Sequence, residues 1–128
     1  MTIIAQDTSR YSNLVKWELE PSQNFSHELV EVADNATLVQ GSALGVVTAT
    51  GAYKESVATA TDGSQNPIAV VVDAKPIATS TTAVEVIART ARVSEKALVL
   101  DASFDDADKK AKAYQSLATK DILVDSTL

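Results

Sequence analysis

The sequence contains no cysteine, a single histidine, four glycines, three prolines and only 5% aromatic residues in 128 positions. Without cysteine there is no disulfide scaffold, no thiolate-held zinc or iron–sulfur site and no thiol nucleophile. The lone histidine, His27, leaves little of the usual vocabulary of catalysis and metal ligation. Cations are scarce too, with 11 Lys and Arg against 17 Asp and Glu, a net charge of −6. Affinity for a phosphate backbone comes from cations that release counterions, so nucleic acid is not an expected partner. No apolar run approaches the roughly 20 residues that cross a bilayer. The longest, Ile68 to Val72, has the length of a strand. The first residues, Met1-Thr2-Ile3-Ile4-Ala5-Gln6-Asp7, lack the basic segment and apolar stretch of a secretory signal, which predicts cytoplasmic synthesis and no membrane partner.

What remains is a globular composition, 45% hydrophobic and 22% charged. A chain of this size buries about two thirds of its unfolded surface and needs no staples. Residues 1 to 13 are polar and poor in large apolar side chains, as in a mobile tail. In Leu14-Val15-Lys16-Trp17-Glu18-Leu19-Glu20, period-two alternation sets Val15, Trp17 and Leu19 on one face and Lys16, Glu18 and Glu20 on the other. Pro21-Ser22-Gln23-Asn24 breaks this strand, which predicts an arm over residues 1–24 that moves independently of a single domain over 25–128.

From His27 the pattern is β. Glu28 to Val32, Thr37 to Val39, Leu44 to Thr48, Ala52 to Glu55, Ile68 to Asp73, Ala83 to Arg89 and Ala91 to Val93 are short β-branched runs. Turn residues separate them at Asp34-Asn35, Gln40-Gly41, Thr50-Gly51, Asp62-Gly63, Asn66-Pro67 and Lys75-Pro76. Ile68 to Val72 is apolar on both faces and reads as a central strand, whereas Glu85 and Arg89 give Ala83 to Arg89 the look of a more exposed one. A single helix follows. Ser103 with Asp106 makes a capping-box-like start, and Phe104, Ala107, Ala111, Tyr114, Leu117 and Ala118 form one apolar stripe. Ile122-Leu123-Val124 reads as a last strand. The fold class is α+β, mainly β: a compact small barrel-like or sandwich-like core, one short C-terminal helix and an extended N-terminal arm.

Residues that could carry chemistry have plainer readings. Ser26, His27 and Glu28 are adjacent, but a catalytic triad converges from different elements around an oxyanion hole, and on a strand His27 points away from both neighbours. Asp101, Asp105, Asp106 and Asp108 suggest a Ca²⁺ loop but lack its glycine and terminal Glu; carboxylates at a helix start serve capping. Gly41, Gly45 and Gly51 lie between strands with no helix behind them and read as turn glycines, not a phosphate loop. A biotin- or lipoyl-type carrier needs a lysine at a hairpin tip, whereas Lys54 follows Tyr53 along a strand. No catalytic, metal or cofactor site is expected. Trp17 admits two readings: docked on its own core, or on a strand that completes a partner's sheet.

The order of the pieces is more specific than any one of them. An arm with Asn13-Leu14-Val15 precedes the run Thr37-Leu38-Val39-Gln40-Gly41-Ser42-Ala43-Leu44-Gly45-Val46-Val47-Thr48-Ala49-Thr50-Gly51-Ala52-Tyr53. Then come Ala60-Thr61-Asp62-Gly63-Ser64-Gln65, an apolar strand, the Thr79-Ser80-Thr81-Thr82 hairpin, Ala91-Arg92-Val93-Ser94, Leu98-Val99-Leu100, a short helix and a terminal strand. Over roughly residues 11 to 124 this order resembles the lambda-type bacteriophage head decoration proteins. The resemblance implies a structural, non-enzymatic protein, made in the host cytoplasm and carried on the outer capsid surface of the virion. It implies trimers at three-fold positions that cement the major capsid protein; the apolar residues of the amphipathic arm, Leu14, Val15, Trp17 and Leu19, are then the expected capsid-binding residues. The competing expectation is a binding module, for example for glycans, without a stabilising role.

Overall fold

A run that is apolar at every position can be buried on both sides, and the strand built from Ile68 to Val72 is. The computed structural model describes residues 14–19, 21–23, 25–32, 38–73 and 83–126. Its strands are β1 (Val15–Glu18), β2 (His27–Glu31), β3 (Ala43–Val46), β4 (Tyr53–Glu55), β5 (Ala69–Asp73), β6 (Ala83–Ile87), β7 (Ala91–Ser94) and β8 (Ile122–Asp125), with helix α1 (Ala107–Ala118) ahead of β8. They form a five-stranded sheet in the order β2-β6-β5-β3-β4 and a three-stranded sheet in the order β1-β7-β8. An isolated bridge between Val32 and Tyr53 draws the outer strands of the larger sheet together at one corner, without closing a barrel. The architecture is sandwich-like and mainly β.

Alternation along β5 divides the core in two. Ala69 and Val71 face one cluster, with Val30, Val32, Leu38, Leu44, Val84 and Val86. Val70 and Val72 face the other, with Ile87 and the inward residues of the smaller sheet and helix: Leu14, Val15, Ala91, Val93, Leu117 and Ile122. The larger sheet is therefore covered on one face by its own curl and on the other by the smaller sheet. β6 is an interior strand, not the exposed one expected, because it lies between β2 and β5 and buries Val84, Val86 and Ile87 completely.

β7 and β8 run parallel, which requires a crossover, and α1 lies in it. Asp106 caps the helix by accepting from the Lys109 amide at 2.8 Å, one turn later than expected. Ser103 instead accepts from the Ala58 amide at 2.8 Å. Ala113 and Leu117 face the core, while Ala107, Ala111 and Ala118 are exposed and Phe104 is buried ahead of the helix. Small alanines are cheap on either side, so they do not phase a helix; Leu117, one turn beyond the buried Ala113, does.

The expected arm includes a strand of the domain. β1 is hydrogen-bonded along β7, Leu14 is fully buried and Val15 nearly so. Residues 1–13, 20 and 24, the segment Asp34-Asn35 and the hairpin at Thr79 to Thr82 lie outside the described residues. Gly45 is not a turn glycine but sits within β3, where a Cβ would overlap the Ser64 backbone. The turn that approaches it is held by Asp62, which accepts from the Ser64 amide at 3.0 Å and the Ser64 hydroxyl at 2.5 Å and pairs with Lys54 at 2.8 Å.

Those bonds, led by that from Lys54, hold the Asp62 carboxyl well below its ordinary range. A depressed carboxyl contributes stability above its unfolded value and loses it as pH falls through its folded value. Asp62→Asn is therefore expected to melt lower than wild type at neutral pH, with the gap closing in strong acid. Thermal scans across that range check it; a gap that stays constant with pH counts against the assignment.

Candidate functional site

The sequence concentrates its candidate docking residues on β1, and the pairing of that strand decides which of them reach solvent. Regular alternation would put Val15 and Trp17 on one face. The register instead runs Val15↔Val93, Trp17↔Arg92 and Glu18↔Ala91, so two steps of β1 oppose one step of β7. This is a β-bulge, and such an extra residue re-aims the side chains around it. Val15 points into the core, Lys16 and Trp17 both point out, and Glu18 turns back in. Trp17 is 53% exposed. Leu19, beyond the strand, is also exposed, its amide donating to the Thr90 carbonyl at 3.3 Å. Of the four expected docking residues the structure therefore presents Trp17 and Leu19 and keeps Leu14 and Val15 for the core. The reading of Trp17 docked on its own core is overturned, and Glu20 lies outside the described residues.

The inward turn of Glu18 has a partner that sequence reasoning missed. Its carboxylate meets His27 Nε2 at 2.9 Å, and His27 Nδ1 meets the Glu85 carboxylate at 2.6 Å. Three strands are tied by one ring: β1 through Glu18, β2 through His27 and β6 through Glu85. A neutral imidazole donates from one nitrogen only, so both bonds are donated together when each nitrogen carries a proton. Neighbouring residues in sequence go elsewhere, as expected for a strand: the Ser26 hydroxyl donates to the Thr90 carbonyl at 2.7 Å and Glu28 pairs with Arg89 at 3.3 Å. The three adjacent polar residues thus do not converge on one point. Thr90 itself has a φ of 43°, unusual for a β-branched residue, and its carbonyl serves both Leu19 and Ser26. That junction fixes where β1 ends and β2 begins.

The other titratable groups have local explanations. Lys54 is engaged with Asp62 on the side of β4, not at a hairpin tip. Asp101 accepts from the Ser103 amide, and its carboxyl is held below the ordinary range by Ser103. Lys109 lowers Asp105 in the same way, one helical turn apart. Burial raises the Tyr53 and Tyr114 hydroxyls, with Glu28 and Glu95 adding to it respectively, and burial followed by Asp101 raises Glu55. Among the described residues, no group of three or more acidic or histidine side chains is placed to hold a metal ion.

What this surface offers is an aromatic anchor on an edge strand, and comparison with known families supplies the context. Residues 5–122 match the family model of the bacteriophage lambda head decoration protein D. The chain belongs to that family. The match spans β1 through the start of β8, so the bulged strand and its partners lie inside the family region. No curated protein and no solved structure gives a significant match. Head decoration proteins are structural components of the phage head, which places the chain on the virion capsid. No helix among the described residues is long and apolar enough to cross a membrane.

Proposed function

We propose that this head decoration protein binds the outer surface of the capsid as trimers at three-fold positions and cements the lattice of the major capsid protein, with Trp17 as its anchor. The observation that carries the reading is the bulge that turns Trp17 outward on β1, an edge strand of the smaller sheet. An exposed tryptophan is costly to leave in water and contributes large apolar area at an interface, where Trp is among the commonest energetic anchors. In this reading β1, paired along β7, is the rigid support that holds Trp17 in place. Trimers need not be stable in dilute solution, because three copies held on one lattice meet at high effective concentration.

Cementing follows from mass action. A protein that binds the assembled lattice and not its separated subunits stabilises assembly by about 2.7 kcal/mol per site at one hundred times its dissociation constant. Heads carrying the protein are expected to survive heating that opens bare heads. Trp17→Ala is expected to weaken head binding by about 2 kcal/mol or more, the hot-spot threshold, and to forfeit the protection at equal concentration. Co-sedimentation with bare heads and a heat-survival assay on the same samples test both. Equal survival of decorated and bare heads removes cementing and leaves attachment or display, and normal binding by Trp17→Ala removes the anchor.

A further inference from the structure

Of the aspartates and asparagines in the chain, Asp62 alone precedes a glycine. That dipeptide has a chemistry of its own. The Gly63 amide nitrogen can attack the side-chain carboxyl carbon of Asp62, forming a C–N bond and expelling the carboxyl hydroxyl, with the amide proton, as water. Water then opens the resulting succinimide at either carbonyl, and opening at the former main-chain one leaves isoaspartate, with the chain routed through the side-chain carbon. The reaction needs no enzyme and no co-reactant other than water. Glycine favours it because no side chain hinders the approach of the amide.

The turn cannot dispense with either residue. Gly63 has a φ of 101°, and a Cβ on it would overlap Thr48 Oγ1. Asp62 ties Lys54 to the Ser64 amide and hydroxyl, and the Ser64 backbone abuts Gly45 in β3. An isoaspartate here would insert one carbon into the main chain beside Gly45, at a contact with no slack.

Each part that the reaction must move is held. The nucleophile, the Gly63 N–H, donates to Gln65 Oε1 at 2.8 Å. The hinge is the peptide plane between the two residues, whose other end, the Asp62 carbonyl, accepts from the Thr48 amide at 2.9 Å. The electrophile is held through both oxygens, Oδ1 by Ser64 and Oδ2 by Lys54. Loss of water requires a protonated carboxyl, and those same bonds favour the carboxylate.

We infer that Asp62-Gly63 is a latent site of isoaspartate formation, and that the Gln65 side chain, with Thr48, Ser64 and Lys54, holds it shut in the folded protein. Gln65 is the residue to change, since its side chain bonds the nucleophile itself and is only half-buried.

The test ages the full chain at body temperature and neutral pH, folded and in urea, then maps the tryptic peptide of residues 55–75 by mass spectrometry, with fragmentation that tells isoaspartate from aspartate. Asp73, in the same peptide, is the internal comparison. The chain in urea is expected to accumulate isoaspartate at Asp62 at least about tenfold faster than the folded one, because reaction in the folded chain waits on local opening of the turn. Folded Gln65→Ala should accumulate it about fivefold faster than wild type, the factor that one net hydrogen bond corresponds to, and Gln65→Glu, which keeps an acceptor, should stay within about twofold of wild type. A gain at Asp62 with none at Asp73 supports the inference. Equal gains at both positions would overturn it, since general loosening of the fold would then explain them. Isomerisation as fast in the folded chain as in urea, an unchanged rate in Gln65→Ala, or a Gln65→Glu chain as fast as Gln65→Ala would each overturn it as well.

Discussion

His27→Ala is expected to lower the unfolding free energy by about 3 kcal/mol, because it leaves the buried Glu18 carboxylate without the ring that hydrogen-bonds it. The asymmetry of the cluster sets the size. The Glu18 carboxylate is only 7% exposed and is hydrogen-bonded by the ring, whereas Glu85 is 39% exposed and can be solvated. The Glu85 half is therefore discounted for solvent screening. In a domain of this length, the change corresponds to a melting point lower by about 10 °C. Two further variants separate charge from packing. His27→Gln keeps one donor and should lose less, and the double change Glu18→Leu with His27→Leu should recover most of the stability, since apolar replacement of a whole buried pair is often neutral. A single His27→Ala variant within about 1 kcal/mol of wild type would show that Glu18 is adequately solvated without the ring. Because Glu18 follows Trp17 directly, the same substitution should also weaken head binding without touching the indole.

Leu14→Ala is expected to cost about 3 kcal/mol, the usual price of truncating a fully buried leucine when the core relaxes only in part. Leu14 and Val15 pack with Val70, Val72, Ile87, Val93, Leu117 and Ile122 in the cluster that joins the two sheets. Removing residues 1 to 18 should go further and unfold the chain, since it deletes β1 and both of these side chains. The experiment is a urea melt followed by fluorescence or circular dichroism. A truncated chain with an unchanged midpoint would mean that β1 is an appendage, and that docking, not the core, is its whole purpose.

Much of the fold was legible because its signals are local. The doubly apolar Ile68 to Val72 announces an interior strand, and the lone amphipathic pattern after Ser103 announces the helix. β6 misleads because Glu85 sits on an otherwise buried strand. Its carboxylate is kept there by His27 from a strand 58 positions earlier, a pairing that no short window contains. Gly45 misleads for a related reason, since its need for a bare Cα comes from the Ser64 backbone and not from its own conformation. At the candidate site, the presence of an aromatic residue on an N-terminal strand is readable. Its direction is not, because alternation assumes an unbroken ladder and the bulge shifts everything after Lys16 to the other face.

The same extra residue in β1 bears on the protein's behaviour before it meets a head. Flat, regular edge strands template the addition of further copies of themselves, and proteins commonly deter this with bulges and charges. β1 has a bulge at its centre with Lys16 beside it, so its main-chain donors and acceptors do not offer the even spacing that another β1 would need. Free subunits are thereby protected against pairing edge to edge through β1, even with an indole in the open.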